Sequence, residues 1–255
     1  MHLLARFKGP NGEIRVLEDP VTGARLYEEG RVAQSRVLPG GEADVLYIRL
    51  MASLLTGSPA ALLLGCGGGS LASMLCRRGS RVAVVEVNPI SFQLARTFFW
   101  MPNGIECITA DVRAFARRNA RTFDAIGIDV GGPRFSYPNV LDQPTIARIR
   151  RTLCEEGRIA VNISLDAPDD PVPGVIADRL AAADLEVWAF TEHPGSEEIN
   201  TVILGSASSE APSALASIAG DSWSLAQLSP RLGRRRRAQA CRPGARNSAV
   251  TSAGN

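Results

Sequence analysis

Histidine is nearly absent from this chain, with 2 in 255 residues. His2 stands at the start and His193 beside Pro194-Gly195, so a Ser-His-Asp relay or a histidine-built metal site has almost nothing to draw on. Cysteine is sparse as well. Cys66, Cys76, Cys107, Cys154 and Cys241 are scattered with no Cys-x-x-Cys pair, which points to neither a zinc site nor a disulfide framework and predicts reduced thiols in a cytoplasmic protein. No apolar run approaches the roughly 18 residues of a membrane span, and the opening eight residues have too short an apolar core for a secretory signal. Charge of one sign is also lacking. The formal net charge is +2, and much of it comes from the arginine run at 234–237, which reads as a solvated tail rather than a surface for nucleic acid or anionic lipid. The expected partners are therefore a small molecule, with no nucleic acid, no membrane and no metal, and with a homodimer as a possible assembly.

What is present is enough apolar sequence, 45% of the chain, for one well-buried α/β domain with additions. Its organising stretch is Ala61-Leu62-Leu63-Leu64, which breaks into Gly65-Cys66-Gly67-Gly68-Gly69-Ser70 and leads through a helical pattern (Leu71, Met74, Leu75) to a second apolar strand ending on Glu86. That is a βαβ unit suited to a nucleoside. Glycines at the turn let backbone N–H groups approach a ligand, and an acid at the end of the second strand can accept both ribose hydroxyls. The spacing is G-x-G-x-G, with Ser70 where a dinucleotide fingerprint wants its third glycine, so an S-adenosylmethionine type of pocket is favoured over NAD. A tight turn with no ligand is the alternative reading of the glycines, and Glu86 at the strand end weighs against it.

Ahead of this unit, residues 13–37 alternate around Asp19-Pro20 and Thr22-Gly23, which predicts one or two antiparallel hairpins. Residues 43–55 carry helical spacing. After it, helices starting at Asn88-Pro89 and at Val112 separate strands over 105–109 and 123–128, and the strand ends carry Asp111 and Asp129. Each acid also has a structural reading, Asp111 as a helix N-cap and Asp129 as a turn stabiliser before Gly131. Farther on, 148–154 reads as helix, 157–163 as strand, 175–183 as helix, and 185–190 with 199–204 as a final, antiparallel pair of strands. The expected fold class is thus α/β: a doubly wound, mostly parallel, methyltransferase-like (Rossmann-like) sheet with a small N-terminal β-hairpin region. The domain expectation is a hairpin region over 1–41, a nucleoside-binding catalytic domain over 42–205 and a weakly ordered tail over 206–255, with Trp223 and Leu225 docking locally.

With the glycine turn, Glu86, Asp111 and Asp129-x-x-x-Pro133 in hand, the chain resembles the spermidine synthase family of aminopropyltransferases, from Leu26-Tyr27-Glu28-Glu29-Gly30 to about Leu204. The resemblance implies that Glu86 holds the ribose hydroxyls above Gly65, Gly67 and Gly69, and that Asp111 binds the adenine amino group. It implies that Tyr47 and Gln34 help to close the site and that Asp129 assists deprotonation of the attacking amine. The implied donor is decarboxylated S-adenosylmethionine, or S-adenosylmethionine itself if the chain has drifted, and the acceptor an amine. A methyltransferase, or a nucleoside-binding homologue without turnover, is the alternative. Two departures stand out. The acid of the family's G-G-G-D-G loop falls on Gly68, and the second acid of its D-[ST]-[ST]-D-P loop falls on Gly132, with Arg134 close by. Both lost carboxylates serve cationic amines, so putrescine is expected to be a poor acceptor.

Overall fold

The structure is a computed structural model that describes residues 1–131, 135–165, 167, 169–192, 199–207 and 222–228. Its first sheet is an antiparallel meander of β1 (His2–Gly9), β2 (Gly12–Glu18), β3 (Arg25–Glu29) and β4 (Val32–Val37). It is larger than the one or two hairpins expected, because the segment 2–9 pairs along β2 from His2↔Glu18 to Gly9↔Gly12. Between β3 and β4, Gly30 and Arg31 both take positive φ, 59° and 69°. Two such residues in a two-residue loop match the twist of the flanking strands.

The second sheet begins after α1 (Leu46–Leu54) with β5 (Ala60–Leu64), followed by α2 (Ser70–Arg77), β6 (Arg81–Glu86), α3 (Pro89–Phe98), β7 (Glu106–Thr109), α4 (Val112–Arg118) and β8 (Phe123–Ile128). Then come α5 (Tyr137–Val140), α6 (Gln143–Arg151), β9 (Leu153–Leu165), α7 (Val172–Ala181), β10 (Glu186–Glu192), β11 (Ile199–Ser206) and β12 (Trp223–Gln227). The strand order is β12-β10-β11-β9-β8-β5-β6-β7, parallel from β9 to β7 and antiparallel from β9 through β11 and β10 to β12. β5 is buried along its whole length, which is why it reads as a continuous apolar run and not as an alternation. Helices cover it on both faces, and each fully buried leucine there stabilises the fold by roughly 1.5–3 kcal/mol.

Three expectations are corrected here. The helix read at 148–154 is α6, which starts at Gln143 behind the Asp142 cap and stops at Arg151, while Leu153 and Cys154 already belong to β9, Leu153 paired with Phe123. Helical spacing in the arginine-rich stretch ran on past a boundary that the register of β8 sets. The terminal antiparallel pair is extended by β12, which pairs with β10 from Trp188↔Gln227 to Glu192↔Trp223. Among the described cysteines, Cys66, Cys76 and Cys107 are free, whereas Cys154 is disulfide-bonded.

The two sheets are locked by a shared apolar cluster. Ile14, Val16, Tyr27 and Val37 of the meander pack on Leu94 and Phe99 at the end of α3. Arg25 adds a hydrogen bond to the Phe98 carbonyl oxygen (2.7 Å) and stacks its guanidinium 4.4 Å from the Trp100 ring centre. The consequence is positional: β4 is held over the glycine turn. No helix among the described residues is long and apolar enough to cross a membrane.

Candidate active site

The carboxyl ends of β5, β6, β8 and β9 face the meander, and a two-lobed cleft lies between them. The larger lobe, about 830 Å³, is lined by Gly67, Glu86, Asn88, Asp111 and Tyr137 among others. The smaller chamber, about 440 Å³, runs under α1 past the start of α2. Gln34, Tyr47, Gly65, Asp129 and Asn200 line both, so they mark the junction.

The glycine turn is shaped by close approach. Gly65 has φ +102°, and a Cβ there would fall 1.9 Å from the Asp129 carbonyl oxygen. Gly67 (φ +49°) would meet the Ser35 hydroxyl at 2.4 Å. Neither position admits a side chain without moving the backbone or the meander. Gly69 lines neither lobe; it takes φ +74° as the N-cap of α2. Gly68 keeps an ordinary backbone and donates its N–H to the Ser35 hydroxyl (2.8 Å). Gly132 and Arg134 lie outside the described residues.

Glu86 ends β6 with its carboxylate tied from two sides. Its Oε2 accepts the Cys66 N–H (3.0 Å) and its Oε1 the Asn88 N–H (2.8 Å), so it braces the glycine turn against the loop that starts α3. Asn88 then accepts the Ile90 N–H as the cap of α3, and its Nδ2 is buried without a partner among the described residues. Asp111 is exposed and caps α4 by accepting the Ala114 N–H (3.0 Å). The helix-cap reading of Asp111 is therefore realised in the structure, at a position that also lines the larger lobe.

Asp129 follows β8 at the junction. Its Oδ1 accepts from the Asn162 amide (3.1 Å) and its Oδ2 from the Tyr47 hydroxyl (3.5 Å). Burial raises its pKa above the ordinary carboxylate value of 3.8, and those two hydrogen bonds only partly offset the rise. Across the larger lobe, burial pushes the Tyr27 phenol up to about 12, the Ser91 hydrogen bond pulling the other way and Glu29 adding to the rise. Burial, and then Glu86, also raise the Cys66 thiol well above its ordinary value, which disfavours its thiolate. Among the described residues no group of three or more His, Cys, Asp or Glu side chains could hold a metal ion.

Sequence reading passed over Asn162, Asn200, Ser35 and Glu192. The first two had a signal, since an asparagine inside each of the apolar runs of β9 and β11 is a polar group that must find a use. Ser35 and Glu192 had none, because only the packing of β4 and the end of β10 brings them to the cleft.

No family model matches the sequence, and no curated protein matches it. Solved structures do. One is a probable spermidine synthase from Corynebacterium glutamicum ATCC 13032, at 19% identity over 84% of this chain and 83% of that one, with a TM-score of 0.73. Others are a spermidine synthase in complex with the transition state analogue AdoDATO (15%, 82% and 75%, TM-score 0.65) and the spermidine synthase from Thermotoga maritima (15%, 82% and 74%, TM-score 0.64). The chain therefore has the fold of spermidine synthases: a mixed α/β domain with a large, mostly parallel sheet behind an antiparallel N-terminal meander.

Proposed function

We propose that this protein is a transferase that moves an alkyl group from a sulfonium nucleoside to an amine acceptor. The donor would be decarboxylated S-adenosylmethionine, giving aminopropyl transfer, or S-adenosylmethionine itself. The observation that supports this most is Asp129, a desolvated carboxylate held by Tyr47 and Asn162 where a nucleoside-sized lobe opens into a second chamber.

The residues fit such a donor. Gly65 and Gly67 leave a cradle that any side chain would fill, Glu86 stands beside it at the strand end, and the orphaned Asn88 amide N–H lines the same lobe. When bound, the donor supplies a carbon attached to S⁺ and a neutral thioether as leaving group. What remains for the chain is orientation and the removal of one proton from the amine. Asp129 accepts that proton. Its raised pKa makes it a stronger base than an exposed aspartate, while Tyr47 and Asn162 fix which oxygen lone pairs face the junction. The meander covers the turn, with Ser35 on the Gly68 N–H and Val37 packed against Phe99.

A methyltransferase is the second reading, favoured by the glycine at position 68 where an aminopropyl donor would want an acid. Mass spectrometry separates the two. Incubation of the protein with either donor and a panel of mono- and diamines should yield methylthioadenosine from the decarboxylated donor, or S-adenosylhomocysteine from methyl transfer. A melting temperature raised by NAD and by none of the adenosyl compounds would sink the transferase reading.

A further inference from the structure

One wall of the larger lobe is built on a helix that cannot hold itself in place. α5 is four residues long, its N-cap Ser136 makes no side-chain hydrogen bond, and none of its residues is buried. A single turn of this kind is unstable alone, and Tyr137 and Val140 only lean on the core behind it. Yet Tyr137, Pro138 and Val140 line the lobe that also holds Glu86 and Asp111. Polar tethers fix the turn. At its start the Tyr137 hydroxyl accepts the Ser164 N–H near the end of β9 (3.2 Å). At its end Arg179, half-buried on α7, donates from Nη1 to the Pro138 carbonyl oxygen (2.7 Å) and to the Leu141 carbonyl oxygen (2.9 Å). A helix leaves its last carbonyls without partners, and here a cation from another element meets them. The Arg179 carbonyl oxygen in turn accepts from Gln143 Nε2 (3.2 Å), which ties the same residue to the start of α6.

We infer that Arg179 is a positioning residue for the cleft: it caps α5 from outside the site and so sets where Tyr137, Pro138 and Val140 stand in the larger lobe. Arg179 itself lines neither lobe, so it acts through those residues and not by touching a ligand. The inference rests on the reading of the larger lobe as a nucleoside site. Asp129 is insulated from it, since its partners Tyr47 and Asn162 belong to α1 and β9 and neither bond involves α5. The fold is insulated as well. α7 is anchored by the buried side chains of Ile176, Ala177 and Leu180, and the guanidinium is no part of that packing. Losing it should therefore loosen ligand binding in the larger lobe while the sheet and the base stay in place.

Two variants of the full chain test this. Arg179→Met keeps much of the aliphatic stem and removes every donor, whereas Arg179→Lys keeps a cation that can serve two carbonyls from one nitrogen. Each is titrated calorimetrically with methylthioadenosine beside the parent, and amide hydrogen exchange is followed over 139–141, whose N–H groups make the turn's own bonds to Ser136 and Tyr137. The methionine variant should bind methylthioadenosine about tenfold more weakly, the scale of one lost hydrogen bond to a charged group. Its 139–141 amides should exchange faster while those of β5 keep the parent's protection, which shows that the protein is folded. The lysine variant should recover most of both losses. Faster exchange with unchanged affinity would mean that the ligand does not feel the wall, and unchanged exchange that Arg179 does not hold α5; either result overturns the inference. A lysine variant as weak as the methionine one overturns the claim that the donated hydrogen bonds do the positioning. If the parent itself fails to bind methylthioadenosine, the nucleoside reading falls and the inference with it, a result distinct from the other three.

Discussion

An aspartate at position 68 would restore the acid that the spermidine synthase pattern carries in its glycine turn, and the structure predicts that the chain resists it. Gly68 does not sit at positive φ, so backbone strain is not the obstacle. Space is. A Cβ there would lie 3.0 Å from Val37 Cγ2, 3.1 Å from Ser35 Cβ and 3.4 Å from Phe99 Cγ. Val37 and Phe99 are both fully buried in the cluster that joins the meander to α3, so neither can swing into solvent to make room. Overpacking of this kind costs about 1–3 kcal/mol. At about 2–4 °C per kcal/mol for a chain of this size, Gly68→Asp should lower the melting temperature by about 2–12 °C. Trimming the obstructing methyl should relieve it. In a double-mutant cycle, Gly68→Asp and Val37→Ala should be less destabilising together than the sum of the two by about 1 kcal/mol or more. Thermal unfolding of the four proteins provides the measurement. A Gly68→Asp variant that melts with the parent, or strict additivity with Val37→Ala, would refute the claim that β4 seals this position.

Asp129→Asn should abolish turnover and raise the melting temperature at neutral pH. Because burial raises its pKa, ionising Asp129 works against the folded state. Below the unfolded value of 3.8 the group is neutral in both states and costs nothing; stability is then lost as pH rises from 3.8 to the higher folded value, by about 1.4 kcal/mol for each pH unit that separates the two. The same ionisation makes it a base, so the parent's activity should rise with pH through a pKa above 3.8, and a variant no more stable than the parent at pH 7 would contradict the burial argument. Glu86→Gln should lower methylthioadenosine affinity and melting temperature together, because an amide cannot accept both the Cys66 and Asn88 N–H groups; affinity lost with no change in melting would show that the two braces carry no stability. Asp111→Asn keeps an oxygen for the Ala114 N–H, so melting should hold while methylthioadenosine binding weakens, and stability lost without affinity would leave Asp111 a helix cap alone.

The glycine-turn side of the cleft was legible in the sequence because each of its parts is local. Glycines that need positive φ, a strand that ends on Glu86, and an asparagine or aspartate ahead of a helical pattern all declare themselves within a few residues of where they act. Local signals also misled where two elements abut, as at Arg151 to Leu153, since the end of α6 is set by pairing with β8 across the sheet and not by the spacing of its own side chains. What only the tertiary structure decided is the roof and the far wall of the cleft. Ser35 and Val37 come to Gly68 from a strand more than thirty residues earlier in the chain, a contact made by the packing of Tyr27 and Val37 on Phe99. Asn162, Asn200 and Glu192 come to Asp129 because β9, β11 and β10 lie side by side beyond β8, with antiparallel directions that no single segment encodes.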